Sequence, residues 1–161
     1  MRMTTDDDHL YRLGAGIMLL NREGKVWVGA RIDNRADAWQ MPQGGLDEGE
    51  EPWAGALREL EEETGIMPDL VERVAHCTEP LRYDLPAEIA SQLWKGKWKG
   101  QTQHWFLARF LGEDSDVAID AAEHAEFREW KWVEPESLPD LIVPFKRDLY
   151  CRILDEFRDS F

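Results

Sequence analysis

Four glutamates, Glu59, Glu61, Glu62 and Glu63, stand close together in a segment that opens on Gly44-Gly45 and closes on Gly65-Ile66. A helix places residues three and four apart on one face. Counting about 100° per residue, Glu62 and Glu63 fall to either side of Glu59, whereas Glu61 is rotated away. Three carboxylates then share one stripe, and Trp53, Leu57 and Leu60 occupy a different, apolar side. Like charges at this spacing oppose helix formation by a few tenths of a kcal/mol each. A hard divalent cation such as Mg²⁺ or Mn²⁺ suits an all-oxygen cluster and offsets that repulsion.

Other elements must carry this stripe. Pro52 suits the first turn of a helix and Gly65 its C-terminal stop, so a helix is expected over Pro52–Thr64. Residues 44–49 read as the loop before it. Tyr11–Leu20 reads as a buried strand, Asn21-Arg22-Glu23-Gly24 as a turn, and residues 25–32 as the second arm of a hairpin. Residues 33–38, with Arg35, form a charged loop, and Trp39-Gln40-Met41-Pro42 is a short extended piece. Strand character continues over residues 70–83, 103–111 and 127–133. Residues 87–93 suit one or two helical turns, and residues 112–125 read as an acidic loop. Phe145, Leu149, Ile153 and Phe157 recur at intervals of four, so an amphipathic helix is expected over residues 144–157. Strands and helices mix without regular βαβ alternation, which points to an α+β chain or an α/β sandwich.

The 161 residues form one expected domain, with residues 1–9 as a mobile tail. Hydrophobic residues make up 43% and charged residues 32%, the balance of a soluble globular chain. The net charge of −14 argues against a general polyanion-binding surface, DNA included. A phosphate-bearing ligand would have to be received by metal ions and a local Lys/Arg cluster. Two cysteines, Cys77 and Cys151, are too few for a disulfide framework and read as free thiols. The start lacks an apolar signal region and no run is long enough to span a membrane, so a cytoplasmic protein is expected.

The segment 44–66 resembles a complete Nudix box, G-x5-E-x7-R-E-U-x-E-E-x-G-U with U a bulky aliphatic. Its fixed positions are Gly44, Glu50, Arg58, Glu59, Leu60, Glu62, Glu63, Gly65 and Ile66. The resemblance implies an α/β/α sandwich around a mixed sheet and divalent-metal-dependent hydrolysis of a nucleoside diphosphate linked to another group. Such hydrolysis needs neutralised phosphate oxygens and an activated water. Two or more Mg²⁺ or Mn²⁺ ions on a carboxylate stripe supply both. Glu59, Glu62 and Glu63 are the expected ligands, and the resemblance adds the Gly44 carbonyl. Arg58, four residues before Glu62, is expected to orient the carboxylates. Glu50 either orients Arg58 or is a plain acid at a helix start.

Beyond the box, Tyr11-Arg12, residues 39–45, 81–86, 100–106, 126–132 and 145–150 resemble segments of the bacterial RNA pyrophosphohydrolases, also described as (di)nucleoside polyphosphate hydrolases. The implied reaction turns 5′-triphosphate RNA, or 5′-diphosphate RNA, into 5′-monophosphate RNA and opens transcripts to decay. The alternative substrates are dinucleoside polyphosphates such as diadenosine tetraphosphate. By resemblance, Glu126 is an acid outside the box that binds metal or activates water. Arg12 contacts phosphate, and Arg31 and Phe145 sandwich a base. Gln43, Tyr83, Lys146, Gln101 and Gln103 complete the substrate contacts. Either Glu59 or Glu126 would take the proton from water. A surface acid is the alternative for Glu126, and helix core for Phe145. The loop over residues 32–38 is longer than in that group. Lys95, Lys97 and Lys99 either guide a downstream RNA phosphate or are solvated surface. Trp94 and Trp98 either stack on a base or anchor the core. A Nudix-fold binding module without catalysis is a third possibility, but it should show losses in the box, and every acidic position is intact.

Overall fold

The computed structural model describes residues 8–33, 37–120 and 125–161. Arg35, most of the expected N-terminal tail, and residues 121–124 of the acidic loop lie outside these, as does the side chain of Trp94.

Strand β1 (Tyr11–Leu20) is buried on both faces: Ala15, Ile17 and Leu19 enter one core and Met18 and Leu20 the other. A strand covered on both sides needs no polar alternation, which accounts for its continuous apolar run. The remaining strands are β2 (Val26–Arg31), β3 (Gln43–Gly45), β4 (Val71–His76), β5 (Leu81–Asp84), β6 (Gly100–Phe110) and β7 (Phe127–Val133). They form one mixed sheet in the order β4-β6-β1-β2-β7, with β3 added to β1 and β5 to β6. Among the described residues only β1 and β6 run parallel, from Tyr11↔Gly100 to Leu20↔Arg109.

Helix α1 (Pro52–Thr64) covers one face, burying Ala56 and Leu60 against Ile17, Phe106 and Phe110. Two short helices, α2 (Ala87–Ala90) and α3 (Leu138–Leu141), precede α4 (Arg147–Phe157). The last covers the opposite face with Leu149, Ile153 and Phe157, against Met18, Val28 and Trp105. This is the expected α/β/α sandwich. Helix α1 ends where the sequence indicates, at Gly65 with φ 74°, its N–H reaching Glu61 O.

Several element boundaries differ from expectation, β6 among them, which begins at Gly100 rather than at residue 103. Residues 44 and 45, expected in the loop, belong to strand β3 with Gln43, because Gly14, Ala15 and Gly16 of β1 offer a ladder to a segment with no apolar pattern of its own. The stretch 70–83 is two strands, interrupted at residues 77–80, where Pro80 cannot donate to a ladder. Both pieces pair with β6, β5 near its start and β4 near its end. Finally, residues 144–146 form a 3-10 turn, and α4 begins only at Arg147.

The sheet forks beside β1. Strand β1 meets β2 at Leu20↔Val26 and β3 from Gly14 to Gly16. The Trp39–Pro42 segment fills the wedge between them: Gly29 and Gln40 exchange both backbone hydrogen bonds at 2.9 Å, and Ile17 N donates to Pro42 O at 3.0 Å. Buried Tyr150 of α4 pins the wedge, its hydroxyl accepting from Met41 N at 2.8 Å. The two cysteines are free thiols, as expected. No helix among the described residues is long and apolar enough to cross a membrane.

Candidate active site

A cavity of about 420 Å³ opens at this fork. Helix α1 supplies Glu59 and Glu63, β3 and the wedge supply Gln40, Gln43, Gly44 and Gly45, and Arg12 comes from β1. Arg31, Asp33 and Glu126 form another side, and Tyr83, Leu85, Leu93, Gln101, Phe145 and Lys146 complete the lining. Of the expected site residues, Glu62, Arg58 and Gln103 are the ones not on the wall.

Glu63 is fully inside, 2% exposed. Its Oε2 accepts from Gln43 N at 3.2 Å, and its Oε1 is buried with no hydrogen-bond partner. Burial pushes its carboxyl well above the usual range, and the carboxylates of Glu126 and Glu59 push it further. Glu59 is raised too, again chiefly by burial, with Arg58 opposing. Gly44 leaves room for Glu59: a Cβ at this position would displace the Glu59 carboxylate.

Arg58 organises the box from behind. Its Nε and Nη2 grip Glu50 at 2.8 and 2.9 Å, and Nη2 also donates to Gly45 O at 3.0 Å. Its Nη1 reaches Glu59 at 3.0 Å and Glu62 at 3.2 Å. Arg58 thus bonds to Glu50, Glu59 and Glu62 at once. Glu50 is its anchor rather than a helix cap, since Glu51 caps Ala54 N at 2.9 Å. Arg58, joined by the Asp47 N–H, holds the Glu50 carboxyl down at about 2.

Glu62 is turned to Arg58 and largely exposed, so Glu59 and Glu63, not all three stripe residues, face the cavity. Among the described residues no three acidic, His or Cys side chains converge as a finished ligand set. The donors nevertheless fit a hard divalent cation. They are all oxygens, and the buried, partnerless Glu63 Oε1 is an acceptor that a cation can satisfy.

On the side formed with Glu126, Arg31 is held in plane by Asp33, with bonds of 2.8 and 2.9 Å, and lies 3.6 Å from Glu126. Phe145 is half-buried and touches the core while lining the cavity. The 3-10 turn removes it from the buried stripe of α4. Lys146 lies over the Tyr83 ring at 5.4 Å. Desolvation, then Arg31, pulls its ammonium down to about 8, with Glu63 acting in the opposite direction. Gln103 is buried: its Nε2 donates to Gln43 Oε1 at 2.8 Å and Gln101 Oε1 at 2.6 Å, and its Oε1 accepts from Trp105 Nε1 at 2.9 Å.

Sequence reasoning missed Gln40 and Asp33. Gln40 is 8% exposed, lines the cavity, and its Nε2 has no partner. The signal for Asp33 was its place two residues after Arg31. Lys97 and Arg12 flank the Trp98 ring at 4.5 and 5.8 Å, and Arg82 and Lys99 flank Tyr11 at 4.0 and 5.5 Å. Trp98 therefore belongs to a basic-aromatic edge beside the cavity rather than to either core.

A family model described as the NUDIX domain matches residues 10–153. The chain belongs to the Nudix domain family. Among curated Nudix relatives, a protein of Novosphingobium aromaticivorans is 57% identical over 92% of this chain and 93% of its own length, and one of Erythrobacter litoralis is 56% identical over 94% and 93%. Both are named RNA pyrophosphohydrolase. Among solved structures, an Ap4A hydrolase of C. elegans has a TM-score of 0.66 at 24% identity, covering 93% of this chain and 99% of that one. The E. coli dihydroneopterin triphosphate pyrophosphohydrolase has a TM-score of 0.69 at 18% identity, covering 91% and 98%. These two likenesses establish the Nudix fold.

Proposed function

We propose that the chain is a divalent-metal-dependent RNA 5′-pyrophosphohydrolase acting in the cytoplasm. It would convert 5′-triphosphate RNA and water into 5′-monophosphate RNA and pyrophosphate. The observation that carries the reading is one cavity lined both by the carboxylates of Glu59, Glu63 and Glu126 and by the cations of Arg12, Arg31 and Lys146. The naming of the curated relatives supports RNA as the substrate.

Glu59, Glu63 and Glu126 would hold Mg²⁺ or Mn²⁺ with the Gly44 carbonyl, and Glu62 would join them by turning from Arg58 toward the cavity; when bound, the ions neutralise phosphate oxygens and acidify water. Arg12, Lys146 and the amides of Gln43 and Gln101 orient the polyphosphate. Arg31 and Phe145 offer a cationic plane and a phenyl ring to the first base, contacts that tolerate any base. Either Glu59 or Glu126 accepts the proton of the attacking water. The basic edge of Arg12, Arg82, Lys97 and Lys99 supports a longer chain leaving the cavity, since a nucleic-acid backbone in a chain of charge −14 needs such a local receiver.

A second reading, dinucleoside polyphosphate hydrolysis, uses the same carboxylates. The deciding experiment is turnover with Mg²⁺ on 5′-triphosphate RNA, 5′-diphosphate RNA, diadenosine tetraphosphate and free nucleoside triphosphates side by side. RNA is expected to be preferred, with a KM that rises steeply with salt. Strong preference for the dinucleotide with RNA untouched would replace the first reading by the second, and no turnover on any would leave a binding module.

A further inference from the structure

We infer that Trp105 is a positioning residue, acting through Gln103 to lock the amides of Gln43 and Gln101 with their N–H donors toward the cavity.

A side-chain amide can turn either end toward a partner, and its polarity is fixed only by what surrounds it. Indole settles this one, because Trp105 Nε1 can only donate. It donates to Gln103 Oε1 at 2.9 Å, so the carbonyl end of Gln103 faces the core and its –NH₂ faces the other way. That –NH₂ carries two hydrogens and meets two partners, Gln43 Oε1 at 2.8 Å and Gln101 Oε1 at 2.6 Å. Both partners must therefore present oxygen to Gln103. Turning either around would set –NH₂ against –NH₂ in a buried place, where an unpaired donor is costly.

The consequence falls on the cavity. Gln43 and Gln101 line it, and their oxygens are committed to Gln103. What they have left to offer is –NH₂. The nearby Gln40 Nε2, also on the wall, is a buried donor without a partner. The wall is thus polarised as a set of neutral donors, suited to phosphoryl oxygens, and the instruction originates in a core residue that does not line the cavity. Burial keeps it in place: Trp105 is 1%, Gln103 1% and Gln101 5% exposed.

This inference rests on the phosphoanhydride reading only for its kinetic test. With wild-type turnover on 5′-triphosphate RNA established first, Gln103→Met keeps length and volume but removes the relay. It is expected to raise KM about tenfold while kcat changes less than about threefold. In a Gln43→Ala/Gln101→Ala background the same substitution should change KM no further, because the relay then has nothing to orient. Equal fold-changes in both backgrounds would overturn the proposal. A second measurement needs no variant and no turnover. In the unaltered chain, inorganic pyrophosphate with Mg²⁺ should shift the side-chain –NH₂ resonances of Gln43 and Gln101 and leave that of Gln103 in place. Unmoved Gln43 and Gln101 resonances at saturating pyrophosphate would overturn it, even if RNA turnover fails.

Discussion

Arg58 and Glu50 form a two-pronged ion pair, Nε at 2.8 Å and Nη2 at 2.9 Å, behind the carboxylates that face the cavity. The pair leaves Arg58 Nη1 aimed at Glu59 and Glu62. Lysine cannot reproduce this, since a point charge on a flexible stem has no planar fork. Arg58→Lys is expected to lower Mg²⁺ affinity or turnover about 10–100-fold, the usual cost of losing a partner that orients metal ligands. Turnover measured against Mg²⁺ concentration checks it: partial recovery at high Mg²⁺ is expected for an orienting role, and wild-type behaviour throughout would refute it.

Glu63 makes opposite demands on stability and function. Without a cation, its folded-state pKa lies above the unfolded value, so the folded chain binds the extra proton. Stability should then fall as pH rises from the ordinary carboxylate range through the raised value. Glu63→Gln removes the charge and keeps the shape. It is expected to raise Tm in EDTA at pH 7, flatten that pH dependence, abolish most of the Tm gain from Mg²⁺, and slow turnover by orders of magnitude. Thermal melts with and without Mg²⁺ provide the check. An unchanged Mg²⁺-induced gain would show that Glu63 is not a ligand.

The carboxylate stripe was legible because helical spacing places Glu59 and Glu63 together whatever surrounds them. The spacing did not show that Glu62 turns outward, because that depends on Arg58, which itself depends on Glu50 across a loop. Strand β3 was illegible for a similar reason: Gln43-Gly44-Gly45 has no apolar alternation, and its ladder is supplied by β1. Phe145 suited both core and site because intervals of four continue through it, and only the 3-10 turn after Pro144 separates it from α4. The direction in which Gln43 and Gln101 point their amides leaves no trace in spacing at all, since it is decided by the indole of Trp105.

Lys146 should make substrate binding pH-dependent on the alkaline side. Desolvation and Arg31 hold its pKa at about 8, so the free enzyme loses this cation near that pH. A bound polyphosphate favours the charged form and raises the pKa in the complex. KM is therefore expected to rise between pH 7 and 9 while kcat moves less, and Lys146→Met should remove that limb. The stability term has the other sign. The folded pKa lies below the unfolded one, so this residue makes the chain more stable as pH rises from about 8 toward its ordinary value. Profiles of kcat/KM and of Tm across this range test both. A flat KM in the wild type would exclude a charge contact from Lys146.

Phe145→Ala separates stacking from packing. The ring lines the cavity and also touches the core, so some loss of Tm is expected in either case. Stacking on a base is worth about 1–3 kcal/mol by alanine substitution, which corresponds to a KM increase of roughly five- to 150-fold. KM for 5′-triphosphate RNA should rise within that range, and affinity for inorganic pyrophosphate, which has no base, should not change. A Tm loss with unchanged KM would assign the ring to the core alone.

Tyr150 ties the cavity to the far core. Its hydroxyl accepts from Met41 N at 2.8 Å, fully buried and 109 residues away in sequence. Met41 sits in the wedge between Gln40 and Pro42, so this bond helps hold the segment that carries the cavity amide of Gln40 and leads into Gln43. Tyr150→Phe keeps the ring, including its edge contact with Trp105 at 6.2 Å, and removes only the acceptor. A buried N–H left unpaired costs about 1–3 kcal/mol. For a chain of this size that lowers Tm by roughly 3–10 °C. Amide exchange at Met41 should accelerate, and exchange within α1, which rests on the opposite face, should follow only the global loss of stability. A Tyr150→Phe variant with wild-type Tm and unchanged Met41 exchange would show that the wedge is held by its ladder with Gly29 alone.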